Sequence, residues 1–247
     1  MAFLNVNYHS ASLQKACSMQ IILPETAKEP YSVMYLLHGL SDDHTIWSRR
    51  TRIEWYVRDL PLAVVMPDGG RGFYCDAVNG PAHESHIIKD VIGFVDTHFN
   101  TKAERSGRVI DGLSMGGYGA LKLALKFPDM FCSAVSHSGG VAAGHNLFRE
   151  ERASEMRLIY GDNHVGGKDD LWAIAERIDR SKLPSIRIDC GLSDFLLEDN
   201  RSFHQHLSKL DIPHEYEEFP GDHNWDFWET HIQEAIRFHA KWLKVKS

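Results

Sequence analysis

The sequence lacks the features that would assign a chain to a membrane or to a nucleic acid. No apolar stretch approaches the roughly 18 residues that a membrane helix needs. Lysine and arginine number 27 against 34 acidic residues, which gives a formal charge of −7. No basic run is present that could neutralise a phosphate backbone. Neither nucleic acid nor insertion into a membrane is therefore expected.

Cysteine is also scarce. The chain has 4 cysteines, at positions 17, 75, 132 and 190, and no CxxC pair. Cys132 and Cys190 fall in predicted buried strands, so we expect free thiols in a reducing compartment rather than a disulfide framework. The first residues lack the basic segment, apolar run and small-residue cleavage site of a secretory leader, which favours a cytoplasmic location.

What the 247 residues do contain is an alternation of short apolar runs with longer amphipathic ones. This alternation predicts an α/β fold, with a mostly parallel central sheet and helices on both faces. The length fits a single domain over residues 1–247. Strands are predicted at 17–24, 32–39, 62–68, 107–112, 131–138, 185–191 and 214–220, the first two as an antiparallel pair. Helices are predicted at 45–59, 83–99, 115–127, 197–210 and 226–243.

Residues 140–176 form a longer connection than a strand and the following helix need. They carry two short helical patterns, and no repeat or low-complexity segment accompanies them. Long connections within compact domains are often functional. We therefore expect a small insertion over one end of the sheet and hypothesise that it acts as a partial lid.

The stretch "VIDGLSMGGYGA" (109–120) contains the strongest chemical signal. Gly112-Leu113-Ser114-Met115-Gly116 fits the pattern G-x-S-x-G, with a predicted strand before it and a predicted helix after it. In such a turn the strand and helix nearly touch, which leaves no room for side chains two positions before or after the serine. Glycine at 112 and 116 meets that need. The pattern predicts a nucleophilic serine at a helix N-terminus.

A serine hydroxyl needs a base within hydrogen-bond reach and an acid that orients the base. In doubly wound hydrolases the chain order is serine, acid, histidine, at the carboxyl ends of successive strands. Asp194 lies in the loop after strand 185–191, whereas Asp189 lies inside that strand and Asp199 in the next helix. His223 follows the last strand, in "PGDHNWDFW". The sequence thus predicts a triad of Ser114, Asp194 and His223, with Asp189 and Asp199 as the alternative acids.

Attack on a carbonyl creates an oxyanion, which backbone N–H groups can stabilise. The residue after the nucleophile, Met115, is predicted to supply one donor. The second is predicted from "YLLHGLSDDHTIW", where a strand ends in His38-Gly39 and the N–H of Leu40 can turn into the site. Only the backbone of Leu40 is required for this role.

Four aromatic residues fall in or beside loops at the same end of the sheet: Trp47, Phe73, Tyr74 and Trp225. Together they suggest a compact apolar acyl pocket, with Trp47 and Trp225 as its candidate lining.

No metal site and no cofactor are expected. His83 and His86 in "HESH" are three positions apart, one short of the spacing in H-E-x-x-H, and no cysteine or carboxylate set has zinc-site spacing. The chain also has no Gly-Lys-Ser/Thr loop and no G-x-G-x-x-G with a downstream carboxylate. "DGGRGF" (68–73) lacks the spacing of a phosphate-binding loop and is expected at the pocket mouth.

With these motifs in place, the sequence resembles the esterase D and tributyrin-esterase group of α/β-hydrolases. It is also similar to the feruloyl and acetylxylan esterases of carbohydrate esterase family 1. The likeness runs through "LLHGLSDDHTIW", "VVMPDGG", "DGLSMGGYGALKLAL", "CGLSDFLLEDN" and "GDHNWDFW". It implies hydrolysis of small carboxylic esters through an acyl-serine, without cofactor. The family's nucleophile, acid and base fall on Ser114, Asp194 and His223, and its oxyanion donors on Leu40 and Met115.

Several alternatives stay open within and beyond that resemblance. S-formylglutathione hydrolases are similar too, although their loop continues Thr-Cys where this chain has Ser41-Asp42. Feruloyl esters, acetylated sugars and acyl transfer to an alcohol use the same chemistry. A ligand-binding protein without catalysis that kept a hydrolase fold is the hypothesis from another class. The sequence leaves open whether the chain forms a homo-oligomer.

Overall fold

The computed structural model describes residues 1–25, 30–145, 152–162 and 164–245. Its strands are β1 (Ala2–Ser10), β2 (Lys15–Leu23), β3 (Ser32–Leu37), β4 (Leu62–Pro67), β5 (Arg108–Leu113), β6 (Ser133–His137), β7 (Ser185–Gly191) and β8 (His214–Phe219). They form one eight-stranded sheet in the order β1-β2-β4-β3-β5-β6-β7-β8. The pairs from β4 through β8 are parallel, and β1 and β2 add an antiparallel edge.

Helices cover both faces of this sheet. They are α1 (Ile46–Arg50), α2 (Ile53–Val57), α3 (His83–Ser85), α4 (Ile92–His98), α5 (Met115–Lys126), α6 (Ala153–Tyr160), α7 (Leu171–Arg177), α8 (Leu197–Lys209) and α9 (Trp225–Leu243). A π-helical segment, His86–Val91, joins α3 to α4. Buried side chains of α1, α2 and α9 share one hydrophobic cluster, whereas those of α4 to α8 share the other.

The central strands supply side chains to both clusters in alternation, as the two-residue period of a strand requires. In β3, Tyr35 and Leu37 enter the cluster under α5, whereas Met34 and Leu36 enter the one under α9. Every residue of β3 is buried. A strand apolar on both faces is typical of a parallel sheet covered by helices on both sides. The predicted α/β class is thus confirmed.

The first strands required two corrections. β1 was not predicted, because Asn5, Asn7 and His9 alternate with apolar residues and give the segment a solvent-facing side. The predicted antiparallel pairing of 17–24 with 32–39 is wrong. β2 pairs antiparallel with β4, with Ile21 opposite Val65, and the fully buried β3 lies further inside the sheet between β4 and β5.

Two predicted helices are interrupted. The expected helix at 45–59 is α1 and α2, separated at Thr51, whose backbone is extended (φ −132°, ψ 167°). The Thr51 hydroxyl donates to the Trp47 carbonyl and accepts from the Ile53 amide, which gives the backbone an alternative to helical bonds. The expected helix at 83–99 contains the π-helical segment.

The insertion at 140–176 contains the two short helices that its pattern predicted, α6 and α7. Residues 146–151 and 163 of this prediction lie outside the described residues. Buried side chains of both helices belong to the same hydrophobic cluster as α5, which begins directly after Ser114. The insertion therefore packs on the helix that leaves the candidate nucleophile.

Candidate active site

Ser114 lies in a sharp turn between β5 and α5. Its backbone has φ 54° and ψ −117°, a region that residues with a side chain rarely occupy. A Cβ at position 112 would lie 2.4 Å from the Gly116 carbonyl oxygen, and one at position 116 would lie 2.5 Å from the Leu37 carbonyl oxygen. Both glycines are thus required for this turn, as the spacing predicted.

The turn is held by the neighbouring strand. The Ser114 amide donates to the carbonyl of His137 at the end of β6 (2.9 Å), and the Ser114 carbonyl accepts from the Gly140 amide (2.9 Å). Strained backbone persists where surrounding bonds determine it, and such sites are often functional. The strain here places the serine side chain at the carboxyl edge of the sheet.

His223 and Asp194 reach this serine from two later loops. His223 Nε2 lies 3.0 Å from Ser114 Oγ. His223 Nδ1 lies 2.9 Å from Asp194 Oδ2 and 3.1 Å from Oδ1. Because an ionised carboxylate only accepts, Nδ1 carries the proton, and the neutral ring then presents Nε2 as acceptor for the serine hydroxyl. The structure brings together all three residues of the predicted triad.

The two loops are joined to each other. The Ser193 amide, next to Asp194, donates to the carbonyl of Gly221, two residues before His223 (2.8 Å). Directly after His223, the Asn224 side chain accepts from the Phe227 amide and caps the start of α9. The base is thus held between a fixed loop and a capped helix.

The Asp194 carboxyl is ionised in this setting. Burial raises the pKa of Asp194, but hydrogen bonds from His223 and from the Leu196 amide outweigh that effect and hold the pKa below its ordinary value. The alternative acids lie elsewhere. Asp189 is buried in β7 against His137, and Asp199 lies within α8.

The predicted oxyanion donors flank the serine. Met115 is the first residue of α5, and the first amides of a helix have no intrahelical acceptor. Leu40 follows Gly39, where an added Cβ would lie 2.8 Å from the Leu113 side chain and 3.7 Å from Ser114 Cβ. His38, the residue before Gly39, is fixed because its carbonyl accepts a hydrogen bond from the Tyr74 hydroxyl (2.9 Å).

A cleft of about 300 Å³ opens over Ser114 and His223. Its lining is Gly39, Leu40, Ser41, Asp42, Arg71, Leu113, Arg152, Phe195, Trp225 and Trp228 around those two residues. Phe195 and Trp228 flank the imidazole of His223, with ring centroids at 4.5 and 5.0 Å. Burial raises the pKa of the Asp42 carboxyl in this lining.

Of the four aromatic residues predicted to form the acyl pocket, one lines the cleft. Trp225 lines the cleft, but Trp47 is 1% exposed and lies beneath it. The Trp47 ring meets Trp225 edge-on at 5.2 Å, and its indole N–H donates to the Leu37 carbonyl (3.0 Å). Phe73 and Tyr74 are buried in the core. These three are corrections, because sequence alone does not show which side of a loop a ring occupies.

Five cleft residues were not predicted from the sequence: Ser41, Asp42, Arg152, Phe195 and Trp228. Phe195 directly follows the predicted acid, and Trp228 is three positions beyond Trp225, so both stood beside motifs already identified. Arg71 was not named as a cleft residue, but the segment 68–73 was expected at the pocket mouth. The structure confirms that expectation for Arg71.

Comparison with known proteins places the chain in a family. A family model described as "Putative esterase" matches residues 10–239. An acetyl esterase of Caldicellulosiruptor saccharolyticus is 30% identical over 263 residues, covering 98% of this chain and 99% of that protein. The chain belongs to this esterase family. An esterase of Mycobacterium tuberculosis is 34% identical over 240 residues, which cover 83% of this chain and 52% of that protein.

Solved structures of serine hydrolases are similar to this chain over nearly its whole length. Fluorophosphonate-binding serine hydrolase F of Staphylococcus aureus, substrate bound, is 32% identical, with a TM-score of 0.85 over 96% of this chain and 98% of that one. The S-formylglutathione hydrolase of the same organism is also 32% identical, with a TM-score of 0.86 and the same coverage. This esterase is a serine esterase with the α/β-hydrolase fold, as the sequence predicted.

Beneath the esterase's serine turn lies a buried charged cluster. His137 Nδ1 lies 2.8 Å from Asp189 Oδ1, and Nε2 lies 3.4 Å from Asp111 Oδ1, with all three side chains fully buried. Burial lowers the pKa of His137, but the two carboxylates raise it to about 10. His137 is thus a cation at neutral pH. The backbone carbonyl of His137 also accepts from the Ser114 amide. The cluster therefore links β5, β6 and β7 beneath the active site.

The described residues contain neither a metal-binding cluster nor a membrane-spanning helix. Among them, no three histidine, cysteine or acidic side chains gather in a metal-binding arrangement. His86 is fully buried and bonds to Tyr8 and Ser10. None of the helices in the described ranges combines the length and hydropathy of a membrane-spanning segment.

Proposed function

We propose that this esterase hydrolyses small carboxylic esters through an acyl intermediate on Ser114, with His223 as base and Asp194 as the orienting acid. The supporting observation is the continuous hydrogen-bond chain from the buried Asp194 carboxylate through His223 to Ser114 Oγ. A nucleophile, its base and an orienting group within hydrogen-bond reach are the geometric signature of nucleophilic catalysis.

In the first half-reaction, Ser114 Oγ attacks the ester carbonyl and passes its proton to His223 Nε2. Asp194 stabilises the imidazolium that forms. The developing oxyanion accepts from the backbone amides of Leu40 and Met115, and the latter lies at the positive end of α5. His223 then donates its proton to the leaving alcohol oxygen, which leaves the acyl group on Ser114.

In the second half-reaction, water takes the place of the alcohol. His223 Nε2 accepts a proton from the water as its oxygen attacks the acyl carbonyl, and the same two amides hold the second oxyanion. The proton returns to Ser114 Oγ as the acid leaves. One water is consumed and one acid and one alcohol are released, with no cofactor.

The substrate proposal is a short acyl chain. Phe195, Trp225 and Trp228 form the aromatic part of the cleft of about 300 Å³, whose lining also includes charged side chains. The aromatic part suits a small apolar acyl group. The relative from Caldicellulosiruptor saccharolyticus is described as an acetyl esterase, which supports the same choice. We further propose a cytoplasmic setting, supported by four free thiols.

The direct test is Ser114→Ala, assayed with p-nitrophenyl acetate and butyrate. We expect hydrolysis to fall to background while the far-UV circular dichroism spectrum is unchanged. Ser106→Ala, at an exposed serine away from the cleft, is the matched control and should keep wild-type rates. A fluorophosphonate probe should label the wild type and the control only. Retention of most activity by Ser114→Ala would refute the proposal.

The second candidate is an S-formylglutathione thioesterase. The structural likeness to the Staphylococcus aureus S-formylglutathione hydrolase favours it, whereas Ser41 and the half-buried Asp42 in the oxyanion loop depart from that group. Comparing kcat/KM for acetyl, butyryl, feruloyl and S-formylglutathione substrates separates the two. We expect the short oxygen esters to lead, and a higher value for S-formylglutathione would reassign the enzyme.

A further inference from the structure

Arg71 connects three parts of the cleft. Its Nε and one terminal nitrogen donate to the two carboxylate oxygens of Glu155 in α6, at 2.7 and 2.9 Å. Its other terminal nitrogen donates to the Leu40 carbonyl at 3.4 Å. Arg71 also lines the cleft. One side chain thus contacts the insertion, the oxyanion loop and the substrate space at once.

Helix α6 is held differently at its two ends. At its C-terminal end, the amides of Val78 and Asn79 donate to the carbonyls of Ile159 and Leu158, both at 2.9 Å. At its N-terminal end, Arg152 occupies the N-cap position without a capping side-chain hydrogen bond, and it lines the cleft. There Glu155 forms the bidentate pair with Arg71, whose side chain is 55% exposed, and the next residue, Met156, is buried in the core. Among the described residues, a solvent-facing ion pair thus links the substrate-facing end of α6 to the loop that carries Arg71.

We propose that Arg71 is a positioning residue that sets both the acyl-length limit and the oxyanion loop of this esterase. Through Glu155 it holds the N-terminal end of α6 as a wall of the cleft. Through the Leu40 carbonyl it restrains the peptide that follows the predicted oxyanion donor. This inference rests on the proposed function, because it assigns roles relative to Ser114 catalysis.

The two contacts predict separable effects. Loss of the Glu155 pair alone frees the wall and favours longer acyl chains, with little effect on the oxyanion. Loss of Arg71 adds a slower chemical step for every ester. Exposed ion pairs are worth at most about 1 kcal/mol, which corresponds to a change of about fivefold in a rate ratio. The wall effect should also shrink at high salt, because the pair is screened there.

The experiment measures kcat and KM for p-nitrophenyl acetate and p-nitrophenyl octanoate at low and high salt. Glu155→Gln should raise the octanoate-to-acetate ratio of kcat/KM by up to about fivefold at low salt. Arg71→Met should raise that ratio similarly and also lower kcat for both esters. The exchanged pair R71E/E155R restores the ion pair without the donor to Leu40, so the ratio should return to within about twofold of wild type while kcat stays low.

The matched control is Glu218→Gln. Glu218 accepts from Arg201 in the same two-bond geometry, at 2.8 Å twice, and neither residue lines the cleft. The octanoate-to-acetate ratio of kcat/KM in Glu218→Gln should equal that of the wild type. An unchanged ratio in Glu155→Gln, or no recovery in the exchanged pair, would overturn the inference. Failure of the proposed function is distinguished separately, because Ser114→Ala would then remain active.

Discussion

His137→Gln tests the buried cluster under the serine turn most sharply. Glutamine keeps a hydrogen-bond donor for Asp189 but removes the positive charge between Asp189 and Asp111. Asp189 then keeps only Arg187 Nε at 3.9 Å, and Asp111 keeps His239 Nε2 at 3.5 Å, among the basic groups that the structure places against them. Removing one partner of a buried ion pair costs about 3–5 kcal/mol, because a charge is left uncompensated. For a chain of 247 residues, about 1 kcal/mol shifts Tm by roughly 2–4 °C. We therefore expect Tm to fall by about 6–20 °C.

The same cluster predicts a pH dependence. The pKa of His137 rises from 6.5 to about 10 on folding. A group whose pKa is raised in the folded state contributes stability that is fully present below its unfolded value and is lost as pH rises through the folded value. The wild type should therefore lose this stability between pH 6.5 and 10, and His137→Gln should lack that component.

The assay is urea unfolding followed by tryptophan fluorescence at several pH values across that window. His9→Gln is the matched control, since His9 is exposed on the edge strand β1. It should match the wild type in free energy of unfolding and in pH slope. A His137→Gln protein within about 1 kcal/mol of the wild type, or with the same slope, would refute the assignment of a buried cation.

The remaining predictions concern the site itself. Asp194→Asn should lower kcat by about 10⁴, as loss of the orienting acid does in other triads, and a loss of tenfold or less in steady-state assays would contradict its role. Gly116→Ala places a Cβ 2.5 Å from the Leu37 carbonyl oxygen, so we expect a loss of about 1–3 kcal/mol in thermal unfolding and a fall in kcat. Phe195→Ala removes a ring that is 58% exposed, so Tm should hardly change. Its contact with His223 predicts a fall in kcat/KM of about two- to tenfold, and an unchanged value would show that the ring does not position the base.

Sequence patterns predicted those parts of the fold that local chemistry determines. The strands β3 to β7 were recognised because they are short, mostly apolar runs between turn residues. β1 was missed because an edge strand with one polar face has a weak signal. The partner of β2 was assigned wrongly because strand pairing joins residues far apart in the sequence. An apolar run does not show which strand it pairs with.

The site shows the same division. Ser114, Asp194 and His223 were predicted because each follows a strand, and the carboxyl ends of parallel strands meet at one edge of the sheet. The residues that form the walls of the cleft were harder to predict from the sequence. Trp47 and Trp225 stood in equivalent sequence contexts, yet one lies beneath the other. The pair of Arg71 with Glu155 joins residues 84 positions apart, and no sequence motif links the two.

The central claim is that Ser114 carries the acyl group, and a trapping experiment tests it directly. The enzyme is mixed with p-nitrophenyl acetate, quenched in acid within the burst phase and analysed by peptide mass spectrometry. We predict one acetyl group on the peptide that contains Ser114, and none in Ser114→Ala. Acetylation of a different residue on the catalytic time scale, or full turnover by Ser114→Ala, would contradict the account.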